Sequence, residues 1–401
     1  MSVLSGKKVL LGITAGIAAY KTASLVRLFI KLGAEVQVIM TPASKDFITP
    51  LTLSTLSKNP VHSTFYDKEA ENELWNNHVD LGLWADIMVI APATANTLSK
   101  MTNGVCDNLL LATYLSSKCS VYFAPAMDLD MYIHPSTKNN LDKLQSFGNV
   151  MIPATSGELA SGLVGEGRMA EPEDIVSFIE KDLLDKLPLK GKKLLLTAGP
   201  TYEAIDPVRF IGNHSSGKMG FAIAKTAANL GAEVILIAGP SAQTIQHSFV
   251  KRIDVKSAEE MYTEAHKYFK ESDIAILSAA VADYRPKNVA TQKIKKKDAS
   301  IEIVLEKTKD ILASLGEIKE HQLLVGFALE TNNEEENAIG KLKKKNLDLI
   351  VLNSLQDKGA GFATDTNKIT IIDKDLSMQT FGLKSKDAVA QDIMNAIVAK
   401  L

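Results

Sequence analysis

The chain opens on a short apolar run, KKVLLGIT, which passes through a turn of small residues into a helical stretch ending at KLGAEV and a second apolar run, VQVIMT. Strand-length apolar runs on either side of a helix-length stretch predict a βαβ unit. DIMVIAPAT, SVYFAPAM and NVMIP follow, separated by polar or helical segments. They are apolar throughout rather than alternating, as strands of a parallel sheet covered on both faces are. The pattern then restarts: GKKLLLTAGPT begins at Gly191, a helix begins near Met219, and NLGAEVILIAGP echoes the earlier KLGAEVQVIMTP. Beyond it KRIDV, DIAILSAAVAD, IEIVLE, LLVGFALE, DLIVLN and KITIID predict further strands, whereas KNVATQKIKKK is too charged for a core and predicts a loop or lid. Between the halves, EPEDIVSFIEKDLLDKLPLKGKK reads as a Pro-started amphipathic helix stopped at Leu187–Pro188. The pattern as a whole predicts the α/β class, with two Rossmann-like domains built on mostly parallel sheets at residues 1–188 and 189–401.

Composition narrows this only slightly. A chain of 401 residues exceeds what one core organises at roughly 100–200 residues per domain, which agrees with two domains. The formal net charge of -2 argues against nucleic acid or an anionic membrane as partner, so an anionic ligand must be held by local groups. Cys106 and Cys119 have neither the spacing of a zinc site nor that of a redox pair, which suits a reducing cytoplasm. No apolar run approaches the ~20 residues that span a bilayer, and the N-terminal run leads straight into a Gly-containing turn without a signal-peptide cleavage site.

Candidate chemistry sits at the strand ends, where open α/β sheets bind ligands. GITAGIAAYK places Gly12, Thr14 and Gly16 between a strand and a helix, so that amides and a hydroxyl can face a phosphate. A Gly-rich βα turn serves tight helix–sheet packing equally well, and the absence of a full G-x-G-x-x-G counts against a nicotinamide dinucleotide. APATANT, Ala91 to Thr97, puts small and hydrogen-bonding residues at another strand end, and PAMDLDMY brings Asp128 to a third. His78 stands just ahead of the DIMVI strand, where an imidazole can act as base near neutral pH. In the second half GNHSSGKM carries Met219 where a P-loop needs Ser or Thr; Met cannot ligate Mg²⁺, so an ATPase reading fails while a different phosphate-binding turn remains.

Taken in order, GITAGIAAYK, H-x-x-L-x-x-W-A-D, APATANT, PAM-x-x-x-MY and SG-x-x-ASG-x-x-GEGRM resemble the FMN-dependent flavoprotein cysteine decarboxylases. The resemblance implies FMN contacts from Ala15, Gly16 and Thr41, from Thr94, Ala95, Asn96 and Thr97, and from Ala126, with His78 catalytic. Two positions depart from that pattern. The family carries a Cys before GRM and an Asn after PAM, and here Ser161 and Asp128 take their places. A serine hydroxyl is a far weaker acid than a thiol, which makes Ser161 a poor substitute as proton donor. Glu158 and Glu166 flank it as alternative acids, and an ionised Asp128 repels a substrate carboxylate unless it is protonated or paired.

TAGPTYEAIDPVRFIGNHSSGKMG, SAAVADYRP, QKIKKK and GFALETNN are similar to the phosphopantothenate-cysteine ligases that use CTP. That resemblance implies Lys293 at the pentavalent phosphorus and Asn213 at the acyl-cytidylate. It also implies Asp283 and Phe327 on the nucleotide, Lys341 and Lys345 on its triphosphate, and further substrate contacts at Lys309, Asp310, Ile311 and Leu312. The fusion of both halves resembles the bacterial bifunctional enzymes of coenzyme A synthesis. It implies 4'-phosphopantothenate, CTP and L-cysteine as substrates, FMN and Mg²⁺ as cofactors, and a homo-oligomer with flavin sites between subunits. Net decarboxylation is expected, with a purely oxidative flavoprotein half as the alternative. The rival readings are an NAD-dependent oxidoreductase and a non-catalytic flavin-binding subunit.

Overall fold

The apolar runs of the first half form one parallel sheet: β1 (Lys8–Ile13), β2 (Glu35–Met40), β3 (Val61–His62), β4 (Ile87–Ala93), β5 (Ser120–Pro125) and β6 (Val150–Met151). In this computed structural model, which describes residues 2–67, 74–159, 161–295, 301–330, 332–354 and 365–401, the chain divides into two units, Met1–Asp185 and Lys186–Leu401. The first sheet runs β3-β2-β1-β4-β5-β6, and all its neighbours are parallel. Its strands are apolar throughout because both faces are covered. Val9, Leu11 and Ile13 pack with Leu25, Val26 and Phe29 of helix α1 (Thr22–Lys31), while Leu10 packs on the opposite face with Ile39, Met88 and Leu110.

The second unit repeats this order. Strands β7 (Lys193–Ala198), β8 (Glu233–Ala238), β9 (Val250–Asp254), β10 (Ile274–Leu277), β11 (Leu323–Glu330), β12 (Leu349–Ser354), β13 (Ile369–Asp373) and β14 (Met378–Thr380) lie in the order β9-β8-β7-β10-β11-β12-β13-β14. The first six are parallel, and β13 and β14 extend the edge antiparallel. Leu194 and Leu196 face Phe221 and Ile223, and Leu195 faces Met261 and Phe269 across the sheet.

One expectation differs from what is observed. IEIVLE is not a sheet strand: only Leu305–Lys307 pairs, in a small hairpin with Tyr284–Pro286. Its apolar residues Ile301, Ile303, Val304 and Leu305 are exposed, so the alternation does not mark a buried face. Phe210–Gly212, which leads into GNHSSGKM, pairs with Tyr202–Ala204 outside the main sheet, so no strand of that sheet feeds the turn directly. Lys296 and Lys297 of the charged run lie outside the described residues.

Candidate functional site

The order of each sheet reverses beside its first strand, and that switch point leaves a crevice at the carboxyl ends of the strands. In the first unit the crevice is a cavity of about 960 Å³ lined by residues from several strand ends. Ala15 and Gly16 follow β1, Thr41 follows β2, Thr94 to Thr97 follow β4, and Ala126 and Asp128 follow β5. Every flavin contact implied by the resemblance therefore reaches one cavity. Gly16 is close to Thr94, whose Cγ2 would stand 3.4 Å from an added Cβ. Thr94 caps helix α2 (Ala95–Thr102) without using its side chain on the helix amides, which leaves them directed at the crevice. Thr14 holds the two turns together, donating to Pro92 O at 2.6 Å and accepting from Thr94 N at 3.2 Å.

Thr41 Oγ1 is buried with no hydrogen-bond partner among the described residues. A buried hydroxyl without a partner costs about 1–3 kcal/mol, which a polar ligand in the cavity removes. With the free helix amides and the small residues at 15, 16, 95 and 126, this arrangement fits a planar, phosphorylated cofactor.

The cavity wall is completed by an antiparallel hairpin, Thr155–Glu158 and Val164–Arg168. Gly165 lies against Leu129, where a Cβ would stand 2.6 Å from Cδ1, and at Gly167, with φ +138°, a Cβ would stand 2.5 Å from Met127 O. Met127 N donates to Gly167 O at 3.0 Å, fixing the hairpin to the segment after β5. From the hairpin loop, Ser161 donates to Asp128 Oδ1 at 3.0 Å. The same oxygen accepts from Leu129 N at 2.7 Å. The two residues that depart from the decarboxylase pattern are thus hydrogen-bonded to each other. Of the flanking acids, Glu158 lines the cavity and Glu166 does not.

Sequence reasoning missed the charges around this cavity. Lys21, 6% exposed, donates to Met169 O at 3.1 Å and to Glu171 at 2.8 Å. The Lys21 hydrogen bond, with help from Arg168, holds the Glu171 carboxyl below its ordinary range against the opposing effect of burial. Lys100 is paired with Asp107 at 2.5 Å. The Lys21 contacts join residues 148 and 150 apart in the chain and leave no trace in local pattern.

His78 is not on this cavity. It is the first residue of helix α3 (His78–Trp84), lies edge-on to Phe65 with ring centroids 6.1 Å apart, and leaves its buried Nδ1 without a partner among the described residues.

In the second unit a cavity of about 560 Å³ is lined by Asp283, Lys309, Asp310, Ile311, Leu312, Phe327 and Lys345. Asp310 caps helix α4 (Ile311–Glu317) by accepting from Ala313 N at 3.0 Å, and Lys345 pairs with it at 2.8 Å. Burial works to raise the Asp310 carboxyl, but the Lys345 hydrogen bond, the helix amide and nearby lysine charge outweigh it and leave it below the ordinary range. Lys309 pairs with Glu259 at 2.7 Å. Lys341 does not line the cavity and is paired with Glu330 at 2.5 Å. Asn213 spends both amide hydrogens on the cavity wall, donating to Ala280 O at 3.0 Å and Val281 O at 3.1 Å.

Lys293 lies in an exposed loop outside the lining, and the residue after it is firmly anchored. Asp206, 2% exposed, accepts from Ile294 N at 3.1 Å, from Val208 N and Arg209 N, and from the Arg209 guanidinium, which also donates to Ile294 O at 2.9 Å. The Arg209 hydrogen bond is the main cause holding the Asp206 carboxyl far below its ordinary range, against burial and with three backbone amides assisting. Beside this cavity a smaller one opens at the N-terminus of helix α5 (Lys218–Asn229), lined by Ser215, Ser216, Gly217 and the buried Lys386. Lys386 was not anticipated. Burial foremost, then the Lys218 charge, pushes its ammonium below the ordinary lysine range.

Comparison with known proteins decides the family. Residues 2–184 match the model of the family described as Flavoprotein, and residues 189–401 match the DNA/pantothenate metabolism flavoprotein C-terminal domain. The coenzyme A biosynthesis bifunctional protein CoaBC of Bacillus subtilis (strain 168) is 43% identical over 399 residues, covering 99% of this chain and 98% of the relative. Its counterpart in Vibrio cholerae serotype O1 is 45% identical over 400 residues, covering 99% of each. The chain belongs to the CoaBC family. Within this similarity, a protein named Cysteine/Cysteine sulfinic acid decarboxylase, from an unknown prokaryotic organism, is 55% identical over 356 residues, covering 88% of this chain and 99% of that protein. The CoaBC family is a bifunctional ligase and decarboxylase family of coenzyme A biosynthesis, and this membership accounts for a flavoprotein unit followed by a ligase unit. Among the described residues no helix is long and apolar enough to cross a membrane, and no cluster of three His, Cys, Asp or Glu side chains is arranged to hold a metal ion.

Proposed function

We propose that residues 189–401 join 4'-phosphopantothenate to cysteine at the expense of CTP, through an acyl-cytidylate, and that residues 1–188 decarboxylate the product to 4'-phosphopantetheine in the cytoplasm. The observation that carries this reading is the cavity of the second unit, where Asp283, Phe327, Lys309 and Lys345 converge. A triphosphate entering there displaces Asp310 and Glu259 from the two lysines, exchanging carboxylate partners for phosphate oxygens. The Ser215–Gly217 turn offers amides and hydroxyls at a helix N-terminus to the phosphate of phosphopantothenate. Lys293 then offsets the charge that develops as the carboxylate attacks phosphorus. The described side chains offer the expected Mg²⁺ no cluster of three ligands, so no step is assigned to it.

In the first unit, FMN supplies a two-electron acceptor that returns its electrons, which makes loss of CO₂ beside an oxidised thiol carbon feasible without net oxidation. The chain's own contribution is to hold the flavin with Thr41, the α2 amides and the small residues of the strand ends, and to cover the site with the hairpin. His78 belongs to this chemistry through a neighbouring subunit, since its orphaned nitrogen lies off the cavity of its own chain; the active form is a homo-oligomer.

A second reading is favoured by one observation, the 55% identity to the cysteine/cysteine sulfinic acid decarboxylase: the flavoprotein unit also takes free cysteine. Both readings are tested by supplying the purified flavoprotein with phosphopantothenate, cysteine and CTP, together and singly, and identifying products by mass spectrometry. CMP, pyrophosphate and phosphopantetheine are expected from the mixture, and their absence rejects the first reading.

A further inference from the structure

The charges that line the flavin cavity are unevenly satisfied. All three cations among the lining residues, Lys21, Lys100 and Arg168, have carboxylate partners, at 2.8 Å, 2.5 Å and 2.8 Å. The lining carboxylates are not all matched. Asp107 holds Lys100, but Asp128 and Glu158 have no cation within ion-pair distance among the described residues. Asp128 is the better placed of the two. Leu129 N and the Ser161 hydroxyl both donate to its Oδ1, which fixes the carboxylate plane, and Oδ2 has no partner among the described residues.

A half-buried carboxylate with one oxygen locked and the other free is a receptor for a donor, best of all a cationic one. The structure assigns Asp128 as the group that binds the ammonium of a free α-amino acid, with Ser161 as its positioning residue, so that the site selects free amino acids over N-acylated ones. This rests on the second reading above, that the flavoprotein unit accepts free cysteine, and names the residue that makes it possible. An N-acylated cysteine presents a neutral amide N–H and a carboxylate; Asp128 gains one weak hydrogen bond from the first and repels the second. Free cysteine brings three N–H donors and a compensating positive charge. The net change, cysteine to cysteamine and CO₂, breaks the bond between the α-carbon and the carboxylate and adds one proton at that carbon. It is redox-neutral, since the electrons taken from the thiol-bearing carbon by the flavin are returned.

Asp128→Asn is the informative variant. Asn caps a helix as well as Asp does, so the Leu129 N–H keeps its acceptor, while the free Oδ2 is replaced by an amide NH2 and the site loses both its charge and the acceptor an ammonium would use. With the full flavin-loaded chain, calorimetric titration uses S-methylcysteine and N-acetyl-S-methylcysteine, whose blocked sulfur separates binding from turnover. The parent is expected to prefer the free amino acid, and Asp128→Asn to weaken its binding by about 10- to 100-fold, as loss of a charged hydrogen bond does, with no weakening for the N-acetyl compound. In turnover, kcat/KM for free cysteine should fall at least about tenfold relative to that for phosphopantothenoylcysteine. Equal binding of the two probes by the parent, or equal losses for both in the variant, overturns the assignment. Cysteamine production with an unchanged substrate ratio in Asp128→Asn leaves the second reading standing and removes Asp128 from it. An intact binding preference without any cysteamine removes the second reading and keeps the ammonium site.

Discussion

At the scale of single residues, Lys309 and Lys345 in the cavity of the second unit are paired with carboxylates, whereas Lys293 is not. It is exposed and carries no ion pair among the described residues, yet it adjoins Ile294, whose amide and carbonyl are both held by Asp206 and Arg209. Lys293→Gln should slow ligation by about 10²–10³, the loss expected for one preorganised charge worth roughly 3–4 kcal/mol in the transition state. Flavin content should stay normal, and CMP release in single-turnover assays reads the effect. Asp206→Asn should act indirectly, lowering ligation by releasing the root of that loop. Because the folded carboxyl lies below its ordinary range, its stabilisation is complete above the unfolded pKa of about 4 and disappears as pH falls through the folded value. The difference in Tm between parent and Asp206→Asn should therefore be largest near neutrality and shrink on acidification, and a difference independent of pH would refute this account.

At the scale of elements, the hairpin beside the flavin cavity depends on two glycines. Gly167 takes φ +138° with a backbone carbonyl where a Cβ would be, so Gly167→Ala should lift the hairpin from Met127. The expected result is weaker flavin retention, read as absorbance lost on gel filtration, with ligation unaffected. The central strands of both sheets were legible in the sequence because parallel strands covered on two faces are apolar without interruption, as KVLLGI and KLLLTA are, whereas the short edge strands Val61–His62 and Met378–Thr380 carry no such run and were not. IEIVLE misled for the converse reason: alternation over six residues describes an exposed hairpin as well as a sheet strand. The convergence of strand-end residues on one cavity in the first unit was legible from their motifs. Lys21, Asp206, Arg209 and Lys386 were not, since each acts through partners distant in sequence or through burial that only the folded chain creates.

At the scale of the molecule, the proposed role of His78 in decarboxylation, together with its place off the cavity of its own chain, calls for a site shared between copies. Mixing His78→Asn with Asn96→Ala subunits under conditions that allow exchange should restore decarboxylation that neither possesses. About a quarter of sites would then combine an intact cavity with an intact histidine, if subunits assort at random. No recovery after verified exchange would place the histidine's action within one chain. The two units, each with its own sheet, core and crevice, carry a consequence for genetics. Loss-of-function alleles should fall into two complementation groups divided near Asp185, with alleles at His78 and at the cavity complementing each other inside the first. A cell carrying one copy broken on each side of that border should grow where a cell with either copy alone does not.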